Sequence, residues 1–324
     1  MEKARTPYRR QGLLLGLVVL TSFGLASGRL QAQSAGIGGQ GSLAGTLSYP
    51  APTYLYPDPN VYGMITLPGD LVTVRYGAGF LDRAARAQIQ LEPIVRVLNR
   101  WADTDLTVNV YILTREEWKQ SRVGVPYGVP VRVGRNSLLL PASGDDEVVK
   151  LWANLRVPLP TSQNPGTAAT PGQASASLFA DYLALNLIGE IYAERLDLRT
   201  AEPWLQSFLG HLIIAPYYQR MAPDARRDLE PVWRQVIALR GAKALSAADY
   251  RAEMNLQDWL YFQANFHFGA QALVGEEGRG TIKNLRRLQR KGNGVILGAA
   301  LLDKYEDVKT WFYNSFTTIS VNPR

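Results

Sequence analysis

LTVNVYIL at residues 106–113 is the clearest β-strand in the chain, because apolar and polar side chains alternate along it. Residues 80–101, just before it, place apolar side chains at helical spacing and predict a long amphipathic helix. Further strands are predicted at 71–76 and 136–140, and short helices at 116–118 and 145–155. The first half of the chain is therefore expected to mix strands with helices.

The second half is almost wholly helical in its pattern. Apolar periodicity predicts helices at 178–196, 203–214, 224–239, 247–252, 256–274, 280–290, 294–303 and 308–316. A mixed first half followed by helices predicts an α+β fold, with a small mixed β-sheet lobe followed by a mainly helical lobe.

The N-terminus has the pattern of a secretory signal peptide. Lys3, Arg5, Arg9 and Arg10 precede an apolar run at 13–25, which is too short to span a bilayer comfortably. An uncleaved membrane anchor is the alternative. We therefore expect export, to the periplasm or the medium, with no stable membrane span after cleavage. The chain has no cysteine, which excludes a lipidated lipoprotein and disulfides.

Composition divides the chain into five segments. Residues 1–32 are the predicted signal peptide and 33–68 an extended segment rich in Gly, Pro and Ser. Residues 69–156 form the predicted α/β lobe, 157–175 a linker or loop, and 176–324 the helical lobe.

Net charge gives no reason to expect a nucleic-acid partner. Residues 1–32 carry five basic and one acidic side chains and supply +4 of the formal +7, which leaves the rest near +3. One basic cluster lies among apolar residues at helical spacing and consists of Lys283, Arg286, Arg287, Arg290 and Lys291. We interpret it as a solvated helix face rather than a phosphate-binding patch.

Residues 187–195, LIGEIYAER, have the surroundings of a zinc-binding helix without its ligands. Zinc hydrolysis on a helix needs two histidines at i and i+4, with a glutamate after the first. Glu190 stands at the glutamate position, but Gly189 and Ala193 stand at the histidine positions.

The layout resembles the gluzincin-like zinc metallopeptidases, over roughly residues 70–316. Residues 203–209, PWLQSFL, are similar to the family segment that gives the third ligand, with Ser207 in place of the ligand glutamate. Residues 261–264, YFQA, resemble a later helix start of the family. The resemblance implies a cleft between two lobes and, with all three ligands replaced, a pseudopeptidase that holds no zinc or other cofactor.

Substitute ligands are scarce. The chain has only two histidines, His211 and His267, far apart in sequence. His211 can reach the cleft if its helix turns that way, although a lone helix histidine is more often an ordinary surface or core residue. Glu194 shares a helix face with Glu190, and we interpret it as solvated or paired with Arg195.

The resemblance also implies that the strand holding Asn136, Leu138 and Leu140 borders the cleft, where an extended peptide would pair with it. An ordinary sheet strand is the other interpretation.

Three functions remain open. The first is an inactive exported protein that binds a peptide or protein in the cleft. The second is a hydrolase rebuilt around Glu190, Glu194, Ser207 and His211. The third is a structural envelope protein whose cleft is filled by side chains such as Tyr192 or Phe208. Oligomeric state is not indicated.

Overall fold

A computed structural model describes residues 56–160, 171–198, 200, 202–220, 222–240, 245–251, 254–274, 278–291 and 301. Several sequence predictions lie outside these residues. They are the signal peptide, most of the extended segment at 33–68, the middle of the linker, and nearly all of the two C-terminal helices.

A five-stranded mixed sheet forms from the first half of the chain. Its strands are β1 (Ile65–Leu67), β2 (Val72–Tyr76), β3 (Val108–Leu113), β4 (Val131–Val133) and β5 (Ser137–Pro141). The spatial order is β1-β2-β3-β5-β4. The central strands β2, β3 and β5 run parallel, and the short outer strands β1 and β4 are antiparallel to their neighbours.

Eight α-helices lie within the described part of the chain. They are α1 (Leu81–Ala102), α2 (Arg115–Gln120), α3 (Asp146–Asn154), α4 (Pro171–Arg195), α5 (Pro203–Arg220), α6 (Pro223–Arg240), α7 (Leu256–Leu273) and α8 (Gly278–Lys291). Each overlaps a helix predicted from the sequence, and the α+β class is confirmed. The predicted end of the linker at residue 175 is wrong, because α4 already begins at Pro171. None of the described helices is both long and apolar enough to cross a bilayer.

The two faces of the sheet pack against different cores. Side chains such as Val74, Val110 and Leu138 point into the large core, which is shared with α1 and the helices of the second half. The opposite face carries a second, small core, which includes Trp118 of α2, Val131 of β4 and residues of the loop before β4. Strand alternation therefore fixes which residues face the helices.

The strand predicted at 136–140 exists, but the expectation that a peptide could pair with it is wrong. β5 pairs with β3 on one side and with β4 on the other, so it lies inside the sheet. Leu138 and Leu140 are fully buried, and the side-chain amide of Asn136 donates to the carbonyl oxygen of Thr107 at 2.6 Å. The outer strand is β4. It escaped prediction because three residues next to Pro130 are too few for a periodic pattern.

One buried ion pair joins the sheet segment to the helical segment. Arg83 on α1 reaches Asp181 on α4 with two hydrogen bonds, at 2.6 and 3.0 Å, and its Nε donates to the carbonyl oxygen of Pro141 at 3.1 Å. Both side chains are at most 6% exposed. The guanidinium therefore ties α1, α4 and the end of β5 together at one point.

Candidate functional site

Gly189, which the resemblance places at the first ligand position, lies at a contact between two helices. A Cβ built on Gly189 of α4 would overlap the carbonyl oxygen of Gly210 on α5 and lie 2.8 Å from its carbonyl carbon. A Cβ on Gly210 would likewise lie 2.9 Å from the backbone nitrogen of Glu190. The two glycines let the backbones of α4 and α5 touch, and no imidazole fits at residue 189 in this packing.

The residues present do not fit a zinc ion. Ala193, at the second ligand position, is fully buried and offers no donor. Ser207, at the third, holds a neutral hydroxyl that is already bonded to Glu190. Zinc sites in proteins are built from histidine, cysteine and carboxylate ligands. Within the described ranges no three such side chains lie close enough together to hold a metal ion.

A chain of hydrogen bonds links Glu190 and Ser207 to α7. Ser207 Oγ donates to Glu190 Oε1 at 2.8 Å, and Gln263 Nε2 on α7 donates to Ser207 Oγ at 3.2 Å. Gln263 Oε1 lies 2.8 Å from His211 Nε2, so the imidazole carries its proton on that nitrogen and donates. Every donor in the series points toward the Glu190 carboxylate. We call these four residues the polar chain.

Burial shifts the pKa values of the groups at the two ends of the polar chain. It lowers the pKa of His211 to about 4, against which the hydrogen bond to Gln263 acts. His211 is therefore neutral at pH 7. Burial also raises the pKa of Glu190 above its ordinary value, while the bond from Ser207 and the positive charge of Arg132 act in the opposite direction.

Two further side chains border Glu190. Tyr250 is buried beside the polar chain, and its pKa is raised first by burial and then by the negative charge of Glu190. Arg132 reaches in from β4 and forms an ion pair with Glu194. Glu194 is therefore paired with Arg132 rather than with Arg195, whose partner is Asp105 at 3.5 Å. Sequence spacing indicated the wrong partner because Arg132 lies on a strand that was not predicted.

The polar chain is not a serine-protease triad. Such a triad needs a histidine between the serine and the carboxylate, so that imidazole accepts the serine proton. Here Ser207 bonds directly to Glu190, and Gln263 separates it from His211. Ser207 and His211 are also buried, with 5% and 2% of their surface exposed. Glu190, which is partly exposed, is the one member near solvent.

Tyr192 and Phe208 are core residues on two different helices. The single proton of the Tyr192 hydroxyl is shared between two acceptors on α1, Asn99 Oδ1 at 2.7 Å and the carbonyl oxygen of Val95 at 3.0 Å. Phe208 packs against aromatic rings of α5 and α7, among them Phe266 with ring centres 5.7 Å apart. Both side chains are fully buried.

The outer edge of β4 already pairs with extended backbone. The amide of Tyr56 donates to the carbonyl oxygen of Arg132 at 3.5 Å, and the amide of Gly134 donates to the carbonyl oxygen of Tyr56 at 2.7 Å. These two bonds form a parallel bridge between Tyr56 and Val133. The edge strand beside Glu190 therefore accepts an extended segment in the manner of an added strand.

Acidification is expected to destabilise the protein through its two histidines. Burial lowers the pKa of both, and for His267 the charges of His211 and Arg226 add to the effect. In the unfolded chain the histidines bind protons below about pH 6.5, whereas in the folded chain they stay neutral. The free energy of unfolding is therefore highest above pH 6.5 and falls as the pH is lowered toward 4. For His211 the loss should approach about 1 kcal/mol per pH unit.

Urea unfolding between pH 7 and pH 4 measures this slope. The double variant His211→Gln/His267→Gln keeps all carboxylates, so the difference between the two profiles isolates the imidazoles. Profiles that run parallel from pH 6.5 to 4 would contradict the buried, neutral state of both histidines.

Three residues of the site were not predicted as functional from the sequence: Gln263, Tyr250 and Arg132. Gln263 lay within the YFQA segment that carried the family resemblance, so a signal existed without a role attached to it. Arg132 and Tyr250 had no signal, since neither belongs to a motif or to a predicted long element. Glu190, Ser207 and His211 do come together, whereas Glu194 pairs with Arg132 and is not part of the polar chain.

Searches of family models, curated proteins and solved structures found no match to this chain.

Proposed function

We propose that this is an exported protein of metallopeptidase-like frame that has lost catalysis and binds an extended peptide or protein segment beside β4. The proposal joins the family resemblance of the sequence to the geometry of the replaced site. It assigns no zinc, no other cofactor and no nucleic-acid partner to the protein.

The Gly189–Gly210 contact carries the non-catalytic part of the proposal. A backbone carbonyl lies where the side chain of a first ligand would begin, so restoring that ligand requires α4 and α5 to separate. Glu190 has no metal-bound water to activate in such a site, and its carboxylate instead accepts a hydrogen bond from the Ser207 hydroxyl.

The edge of β4 supports the binding part. Its pairing with Tyr56 uses backbone groups alone, and backbone pairing needs no metal. Next to this edge, the Arg132–Glu194 ion pair and the partly exposed Glu190 offer charged groups to an incoming segment. A peptide that adds to β4 would take the place of Tyr56 at this edge and pair with the same backbone groups.

Metal analysis tests the loss of catalysis. The purified protein is first dialysed against buffer that contains about 10 µM zinc. We expect it to retain far less than one zinc per chain, as measured by mass spectrometry of the metal. Peptidase activity on denatured casein should be absent with and without a chelator. Stoichiometric zinc together with chelator-sensitive cleavage would overturn the proposal.

Peptide capture tests the binding site. The protein is expected to enrich members of a randomised octapeptide pool, and binding of the enriched peptides should disappear when alternate amides are N-methylated. Side chains are unchanged by methylation, so the matched pair separates backbone pairing from side-chain recognition. Hydrogen exchange should slow at Arg132, whose amide faces away from β5. Absence of any enriched peptide would point instead to a structural role.

A hydrolase with a rebuilt site is the second candidate, and the polar chain is the observation that favours it. Ser207 and Glu190 form a direct hydroxyl–carboxylate pair at 2.8 Å, in which the carboxylate is placed to take the hydroxyl proton. Burial raises the pKa of Glu190, which makes it a stronger base than an exposed glutamate.

Ester hydrolysis separates the two candidates. Under this second hypothesis Ser207→Ala and Glu190→Gln would each abolish turnover of p-nitrophenyl acetate above the background of the buffer. A surface control, Ser121→Ala on the end of α2, would not change it. Equal turnover by all four proteins excludes the rebuilt hydrolase.

A further inference from the structure

The basic cluster of α8 borders a groove. In the structure its residues Lys283, Arg286, Arg287 and Arg290 line this groove together with Arg220 from the end of α5 and Trp101 and Asp103 from the end of α1. The groove has a volume of about 830 Å³, within the range of small-molecule sites. Three separate helices thus contribute to one concave surface.

Among the residues that the structure describes, six cationic side chains and one acidic side chain, Asp103, line this basic groove. The six are Arg220, Arg279, Lys283, Arg286, Arg287 and Arg290. None of them forms an ion pair with a carboxylate of the described residues, whereas Arg226, Arg227 and Arg234 on α6 all do. Like charges one turn apart destabilise a helix, so an anion in the groove would relieve repulsion.

The floor of the basic groove is rigid. Gly278, the first residue of α8, lies so close to the ring of Trp101 that a Cβ there would overlap three ring atoms. Ile282 and Leu285 are buried beneath the same helix and hold its apolar face in the large core. The cationic side chains therefore project from a fixed backbone and are not brought together by a mobile loop.

We infer that the basic groove binds a small ligand that carries two or more phosphate groups. Arginine guanidinium groups match phosphate oxygens with paired hydrogen bonds, and five of the six cations are arginines. A phosphate monoester carries nearly two charges, so two or three such groups balance the excess charge within the available volume. Ligands with single carboxylates would need many more groups in the same space.

Calorimetric titration with tripolyphosphate tests the inference on the purified full chain. We expect a dissociation constant on the order of 10 µM at low salt, which weakens as salt screens the charges. Inorganic phosphate, which can engage fewer side chains at once, should bind at least about tenfold more weakly.

Two charge-matched variants make the test specific. Lys283→Gln/Arg286→Gln/Arg287→Gln should weaken tripolyphosphate binding by at least about tenfold. Lys119→Gln/Arg122→Gln/Lys150→Gln removes the same charge elsewhere and should bind like the parent. Because the first variant removes like-charge repulsion along α8, its urea midpoint should not fall. Equal weakening in both variants would show a net-charge effect only and overturn the site.

Vesicles of phosphatidylglycerol distinguish a soluble ligand from a membrane surface. The protein is expected to show little sedimentation with them, and tripolyphosphate should release any that binds. Vesicle binding that tripolyphosphate does not displace, without calorimetric binding of tripolyphosphate itself, would overturn the assignment to a small ligand. These outcomes are independent of peptide binding at β4.

Discussion

Replacing Gly189 with alanine is expected to lower the free energy of unfolding by about 4 kcal/mol or more, a large effect for one methyl group. The new Cβ would lie 2.8 Å from the carbonyl carbon of Gly210 and nearer still to its oxygen. Both are backbone atoms, so relief requires α4 and α5 to move apart. Inside a helix, alanine is otherwise more stable than glycine by about 1 kcal/mol. The sign of the change therefore reports the contact.

Urea unfolding followed by circular dichroism gives the measurement. Gly77→Ala is the matched control, because a Cβ there would meet its nearest neighbour, Glu117 Oε1, at an ordinary 3.6 Å. It should change stability by less than about 0.5 kcal/mol. A Gly189→Ala protein as stable as the parent would contradict the close approach of the two helices, and with it the main support for a non-catalytic site.

The same contact predicts the failure of a simple restoration. Gly189→His, Ala193→His and Ser207→Glu together rebuild in sequence the ligand set of the resembling family. We expect the triple variant to be unfolded rather than zinc-loaded, because the first imidazole has no space. A folded, zinc-binding triple variant would show that α4 and α5 can separate.

Asp181→Asn is expected to cost about 3 to 5 kcal/mol of stability, since it leaves the Arg83 charge buried without a counter-ion. Burial raises the pKa of the Asp181 carboxyl, whereas Arg83 acts to lower it. The pair holds its charge through two hydrogen bonds, and the amide of asparagine replaces one acceptor with a donor.

A double variant separates the lost charge from lost packing. Arg83→Met/Asp181→Leu removes both charges and should be more stable than Asp181→Asn by about 2 kcal/mol, although the carbonyl oxygen of Pro141 then loses its donor. Asp70→Asn makes the same chemical change in a pair whose aspartate is 78% exposed, and its urea midpoint should not move. If Asp181→Asn behaves like Asp70→Asn, the buried pair does not join the two segments.

Much of the fold was predictable because periodicity acts locally. The alternation at 106–113 and the helical spacing at 80–101 became β3 and α1 within two residues at each end. Helix starts were similarly encoded, as where Asp145 and Asn255 cap α3 and α7 with their side chains. The two outer strands escaped, because three residues carry too little pattern and depend on a neighbouring strand.

The site divides in the same way. The sequence by itself determined that the usual zinc ligands are scarce, since the chain has two histidines and no cysteine. The order of the family-like segments also indicated that Glu190 and Ser207 belong to one candidate site.

Only the tertiary structure decided what surrounds Gly189, Glu190 and Ser207. The Gly189–Gly210 contact, the bridge through Gln263 and the Arg132–Glu194 pair each join residues from different elements. The basic groove likewise needs Arg220 and Trp101 beside α8. The physical reason is that periodicity reports which face of an element is buried, whereas these contacts depend on how two elements cross, and crossing is set by the packing of the whole core.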